Sequence, residues 1–436
     1  MSDARLQYPR EALKAWLRSI PEAQNDEKNV RLLGKLIDTV FFASLEKEEG
    51  SATRVSVVYH EQGIEGLEHV LEHRFVGVGH GRMPAWQILP FEHGSGVTEL
   101  NVKTLAKVAP AADLPRTAIV VGLSNGRLVI QGLARRVEHT HLPAEGETAS
   151  IVLRSCRPGH VALWRHGVER FRYESGGAVD LSSKPSLFRI LSEQESIIAS
   201  ALRRLCAGIV NRSPRPYPFH REHQYATVYR VVAGLVERMS AGNHGGLITF
   251  LPESPEMDRQ AALGKYRLPP AHRRALAAKT AELALRRAHL QDLRGRLDGS
   301  TAPITDDDRF ERMVAEDDER RTEDALDALI DNIGQLSTVD NALLLGPDLE
   351  ILCAGYPIKV SKAALAVYEA VTLEGKRGRR FPLRRHGSRH RAAATFAKLF
   401  PGGIAFLCSQ DGDLRCLHRP PGEEHVLLWN LSPSGW

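Results

Sequence analysis

The run Gly387-Ser388-Arg389-His390-Arg391-Ala392-Ala393 decides how this chain is read. It joins a loop dense in Lys and Arg, residues 375–385, to a stretch with helical spacing, Ala392–Phe400. A glycine, a hydroxyl, then guanidinium and imidazole groups at a helix start suit phosphate. First-turn amides point outward there, and guanidinium forks match phosphoryl oxygens. Cations at that end oppose the helix dipole, at roughly a few tenths of a kcal/mol each. A bound anion removes the conflict, so the run is read as functional rather than as a solvated first turn.

Working outward, the surrounding pattern is mixed α/β. Ala342–Leu345 and Glu350–Gly355 are predicted strands across a Gly346-Pro347-Asp348 turn, and Lys362–Thr372 is a predicted helix. Ile404–Cys408 and Leu414–His418 flank Gln410-Asp411-Gly412, and Val426–Asn430 is a last strand. Toward the amino terminus, residues 10–42 have helical spacing, and Arg54–His60 alternates apolar and polar residues. Ala118–Leu123 and Arg127–Leu133 flank Ser124-Asn125-Gly126, whose Asn-Gly pair tolerates the positive φ of a tight hairpin. Val161–Trp164 and Glu169–Tyr173 are further strands. Leu187–Cys206 and His220–Met239 read as helices, and Gly245–Leu251 as a buried strand. The apolar pattern of the 117–130 hairpin faintly echoes that of 340–352, as a duplicated unit would.

Between the halves the charge separates. Arg267–Leu297 holds eight Lys or Arg against two acids, with Leu276, Leu283, Leu290 and Leu297 seven apart. Ala302–Asn332 holds twelve acids against four Arg. With turn chemistry at 298–303, the two form an antiparallel helical hairpin with compensating faces. The expected organisation is therefore two α/β globular domains, 10–255 and 326–436, joined by a charged hairpin at 267–325.

Composition narrows the classes. The chain has 436 residues, 42% hydrophobic and 25% charged, with net charge +5. That excludes a disordered or collagen-like chain, and the charge is too low for a nucleic-acid coat, so nucleic acid is not the expected partner. No run reaches the roughly 20 apolar residues of a membrane span, and Met1–Arg10 lacks an apolar signal core. Five scattered cysteines without a CxxC read as reduced core thiols. The expectation is a cytoplasmic protein with no membrane partner.

A second element is Asp340-Asn341-Ala342 at the start of a buried strand, where a carboxylate near a phosphate site suits a divalent cation. With Gly387-Ser388-Arg389-His390-Arg391-Ala392-Ala393 and Ser409-Gln410-Asp411-Gly412, it resembles the diadenylate cyclase domain, over about residues 320–436. That family carries Asp-Gly-Ala, Gly-Thr-Arg-His-Arg-Ala-Ala and Ser-Glu-Glu motifs. The front, 10–255, is similar to the probable sensor domain DACNV, through Asn243-His244-Gly245-Gly246 and the strand to Pro252.

The resemblance implies a homo-oligomer in which two facing subunits condense two ATP into cyclic di-AMP. It assigns Asp340, with Gln410 and Asp411, to Mg or Mn, and Asn341 and Ala342 to ribose and base. Gly387, Ser388, Arg389, His390 and Arg391 would grip the triphosphate. In the front half, Asn243, His244, Gly245 and Gly246 are the candidate ligand loop of the sensor. Three departures stand out: Asn341 replaces glycine, Ser388 replaces threonine, and Gln410 replaces glutamate. An amide is a poorer ligand than a carboxylate for a hard cation, so a binder that no longer cyclises is the alternative function.

Overall fold

Two eight-stranded sheets organise the chain in its computed structural model, each in its own compact unit, divided at Ser182/Ser183. The structure describes residues 7–19, 27–48, 51–67, 70–74, 80–84, 86–91, 98–112, 117–136, 150–165, 168–174, 176–179, 185–212, 217–241, 245–253, 255–298, 304–360, 366–409 and 413–431. No helix among them is long and apolar enough to cross a membrane.

In the first unit, helices α1 (Pro9–Ser19), α2 (Glu27–Leu45) and α3 (Val102–Val108) cover one face of a sheet. Its main strands are β1 (Val55–Tyr59), β2 (Trp86–Pro90), β3 (Thr117–Ser124), β4 (Arg127–Arg136), β5 (Ile151–Ser155), β6 (His160–Arg165), β7 (Val168–Glu174) and β8 (Gly177–Ala178). They lie in the order β8-β7-β6-β5-β1-β3-β4-β2, with only β1 and β3 parallel. Asn125 and Gly126 both take positive φ, 49° and 74°, as the predicted tight turn requires.

The second unit is three-layered. Helices α4 (Leu187–Ser192), α5 (Ile197–Leu205), α6 (Ala207–Arg212) and α7 (His220–Ala241) precede strand β9 (Gly246–Phe250). Then come α8 (Met257–Ala262), α9 (Ala275–Asp298), α10 (Asp306–Leu336), β10 (Ala342–Leu345) and β11 (Ile351–Tyr356). Strands β12 (Val367–Ala370) and β13 (Arg377–Arg380), helix α11 (Ser388–Leu399), and strands β14 (Ile404–Cys408), β15 (Leu414–His418) and β16 (Val426–Leu431) complete it. The sheet order is β11-β10-β9-β14-β15-β16-β12-β13. The period of two sorts its side chains between two cores. Ile248, Leu343, Phe406 and Trp429 face the long helices, whereas Leu247, Leu344, Leu407 and Leu428 face α8 and α11.

Three expectations are corrected here. Residues 183–255 belong to the second unit, because β9 is the middle strand between β10 and β14. The 267–325 hairpin forms as foreseen, antiparallel and cross-linked by Arg287–Glu319, Arg287–Glu323 and Arg294–Glu316. It is no linker, though: Leu276 and Leu283 enter the second unit's main core, and Leu326 and Ile330 follow on the same helix as its second arm. Finally, Val367–Ala370 is a strand rather than part of a 362–372 helix, since pairing with β16 buries Val367 completely. Of the five free thiols, Cys156 is exposed and the other four are buried.

Candidate functional site

Strand directions bring one end of the second sheet together. Gly246 at the start of β9 pairs with Cys408 at the end of β14, which pairs with Leu414 at the start of β15. Parallel β10 starts at the same end, just after Asp340 and Asn341, and Ala342 pairs with Tyr356 at the end of β11. Residues far apart in sequence therefore share one rim.

Arg389 reaches that rim from the first turn of α11. A Cβ placed on Gly245 would lie 3.1 Å from Arg389 Nη1 and 2.7 Å from the Cys408 carbonyl oxygen. Gly245 also takes φ +63°, so the guanidinium has room to lie against bare backbone. Among the described residues, Arg389 has no acidic partner within ion-pair distance. Gly387 is the N-cap of α11 and no side chain caps its first-turn amides. Ser388 and Arg391 are exposed. Arg391 lies about 200° around the helix from Arg389, so the two do not converge on one point.

His390 sits elsewhere. It is 6% exposed, stacks near Phe381 and His386, and its Nε2 meets Nη1 of Arg415. Burial, reinforced by Arg415, pushes its pKa down to about 4, so the ring is neutral near pH 7. The expected phosphate grip by His390 thus gives way to a positioning contact. Arg415 extends it by donating to Asn430 Oδ1 and Asp413 Oδ2, each at 2.9 Å.

Asp340 lies on the β11 side of the rim. Its side chain is 83% exposed, its backbone oxygen lies 3.5 Å from where a Cβ on Gly355 would stand, and Lys265 Nζ approaches its Oδ2 at 3.5 Å. Asp340 precedes β10, which pairs directly with β9, and Arg389 lies by Gly245 and Cys408 of β9 and β14, so the two points stand one to two strand spacings apart across the sheet, roughly 5–10 Å. A nucleotide's ribose and phosphates span such a gap. Asn341 takes φ +81°, in the left-handed region that asparagine tolerates. Ala342 is wholly buried beneath the rim.

Donors for a cation are sparse. Among the described residues no cluster of three His, Cys, Asp or Glu could hold a metal ion. Asp340 offers one carboxylate, and Asp413 is engaged by Arg415. One or two carboxylates completed by substrate phosphates suit Mg²⁺, so the donor set fits a cation brought with a triphosphate. Gln410, Asp411, Asn243 and His244 lie outside the described residues. Gly245 and Gly246, expected in a sensor loop, stand in this rim instead, beside Arg389. Sequence reasoning missed Lys265, Arg415 and Asn430, which bear no motif and meet their partners only through the sheet.

Residues 22–135 match a family described as "Probable sensor domain DACNV", about a quarter of the chain and wholly inside the first unit. The stretch 243–252, expected to carry that likeness, lies outside the match. No curated protein matches the chain.

Proposed function

We propose that the second unit binds ATP across this rim and condenses two ATP into cyclic di-AMP, under control of the first unit. The observation that carries the reading is Arg389, without an acidic partner among the described residues, set against the Gly245 backbone beside the uncapped start of α11. There a guanidinium and outward amides share a point from which a triphosphate extends toward Asp340. Asp340 then holds Mg or Mn together with substrate phosphates and orients the 3′-hydroxyl. Arg389 offsets charge that grows on the phosphoryl oxygens. Attack on the partner's α-phosphate, with pyrophosphate leaving, needs a second subunit facing the first.

A second reading has its own support. Lys265 beside Asp340 competes with a metal, and Gln410 lacks a carboxylate, a combination suited to a nucleotide sensor that no longer cyclises. Incubating the protein with ATP and Mn²⁺ and separating the nucleotides distinguishes them. A cyclic product is expected, and Asp340→Ala should abolish it. Arg389→Ala should weaken binding of a non-hydrolysable ATP analogue by about 10–100-fold, the worth of a charged hydrogen bond. Tight analogue binding without product favours the sensor. Wild-type behaviour of both variants places the nucleotide elsewhere.

A further inference from the structure

The two units share one strand plan. In the first, β1 lies parallel to β3 of the β3/β4 hairpin and antiparallel to β5, with β6 and β7 following in order. In the second, β9 lies parallel to β10 of the β10/β11 hairpin and antiparallel to β14, with β15 and β16 following in order. Chain order, direction and neighbours agree for all six strands. Register agrees as well. Val57 pairs with Ile119 and Leu153, then Leu163 and Phe171 continue the row. Ile248 pairs with Leu343 and Phe406, then Cys416 and Trp429 continue the equivalent row. Both rows are buried toward the face covered by the helix that precedes the first strand, α2 or α7. Ala118 thus stands where Ala342 stands.

The connections differ, β1 to β3 carrying β2 and α3 where β9 to β10 carries α8, α9 and α10, and the one that bears on the site follows the hairpin. Between Tyr356 and Ile404, the second unit inserts β12, β13 and α11; its stretch 375–391 carries eight Lys or Arg and no acid. Between Arg136 and Ile151, the first unit has only residues 137–150, with three Glu and no Lys or Arg. The register also sets Arg54 where Gly245 opens backbone to Arg389. In the second unit that place is bare backbone beside a guanidinium; in the first it carries a side chain of its own, so the bare-backbone approach is not reproduced.

We infer that the chain is an internal duplication whose first copy has lost the polyphosphate grip, so each chain offers a single triphosphate site. The inference rests on the proposed ATP site in the second unit. It makes the first unit a pseudo-copy whose ligand is not a polyphosphate, and it denies that the two units of one chain form a pair of facing ATP sites.

Calorimetric titration of the full chain with a non-hydrolysable ATP analogue, paired with photolabelling by azido-ATP and peptide mapping, tests this. One analogue per chain is expected, with label confined to residues 183–434. Two analogues per chain, or label in residues 55–174, overturns the inference while leaving the proposed function standing. No binding at all overturns the proposed function and the single site with it. Arg389→Ala should weaken the one binding event by about 10–100-fold; an event of unchanged affinity would place the site outside α11.

Discussion

At the residue scale, Gly245 does more for the rim than its size suggests. Its φ of +63° and the 2.7 Å gap to the Cys408 carbonyl leave no room for a β-carbon. Gly245→Ala is expected to cost about 1–2 kcal/mol from left-handed backbone alone. It should also push Arg389 off the backbone and lower ATP-analogue affinity. Thermal unfolding and titration of this variant check both effects, and unchanged affinity would show that Arg389 does not need the bare glycine. Little of this was legible in the sequence. The chemistry of Gly387–Ala393 could be read from residue types, because a cationic helix start conflicts with its own dipole. Its partner could not: Gly245 lies far back in the chain, and only antiparallel pairing of β9 with β14 brings it to Arg389. His390 was misjudged because sequence spacing does not distinguish the helix face turned toward Arg415 from the face turned to solvent.

At the scale of elements, period and turn chemistry were legible where two alternating strands flank a recognisable turn. The antiparallel pairs at 117–136 and 404–418 followed from alternation and turn residues. Val367–Ala370 was misread as helix: its local partner β13 is a run of arginines without strand patterning, and β16, which flanks it on the other side, lies some sixty residues on. The charged hairpin was read correctly as a pair, yet its third partner was invisible. Arg230 of α7 reaches both Glu323 and Asp327 of α10, and Arg287 of α9 reaches Glu323 from the other side. Removing one member of such a buried cluster strands the remaining charge, which commonly costs about 3–5 kcal/mol. Arg230→Ala should therefore lower stability by roughly 3 kcal/mol in urea unfolding. Exposed Arg320→Ala, a surface pair with Asp317, should change it by less than about 1 kcal/mol. Equal effects from the two variants would mean that the hairpin is held by its leucine seam alone.

At the scale of the whole molecule, the division at Ser182/Ser183 has a functional consequence. Every described residue of the candidate rim lies in the second unit: Gly245, Lys265, Asp340, Asn341, Arg389 and Arg415. So do both faces of its sheet, since α4 to α7, α9 and α10 cover one side and α8 and α11 the other. A fragment comprising residues 183–436 thus keeps its own two cores and exposes no sheet face that the first unit would have to cover. It is expected to unfold cooperatively and to bind the ATP analogue within about two-fold of the full chain, a difference of about 0.4 kcal/mol. What it should lose is any response routed through residues 22–135, the segment matched to a sensor family. Calorimetry on the fragment and the full chain, side by side, decides the matter. A folded fragment that binds nothing, beside a full chain that binds well, would mean that the first unit supplies part of the nucleotide site. The single-site account of the duplication would then be wrong in its central point, because the pseudo-copy would be contributing to the very grip its sequence lacks.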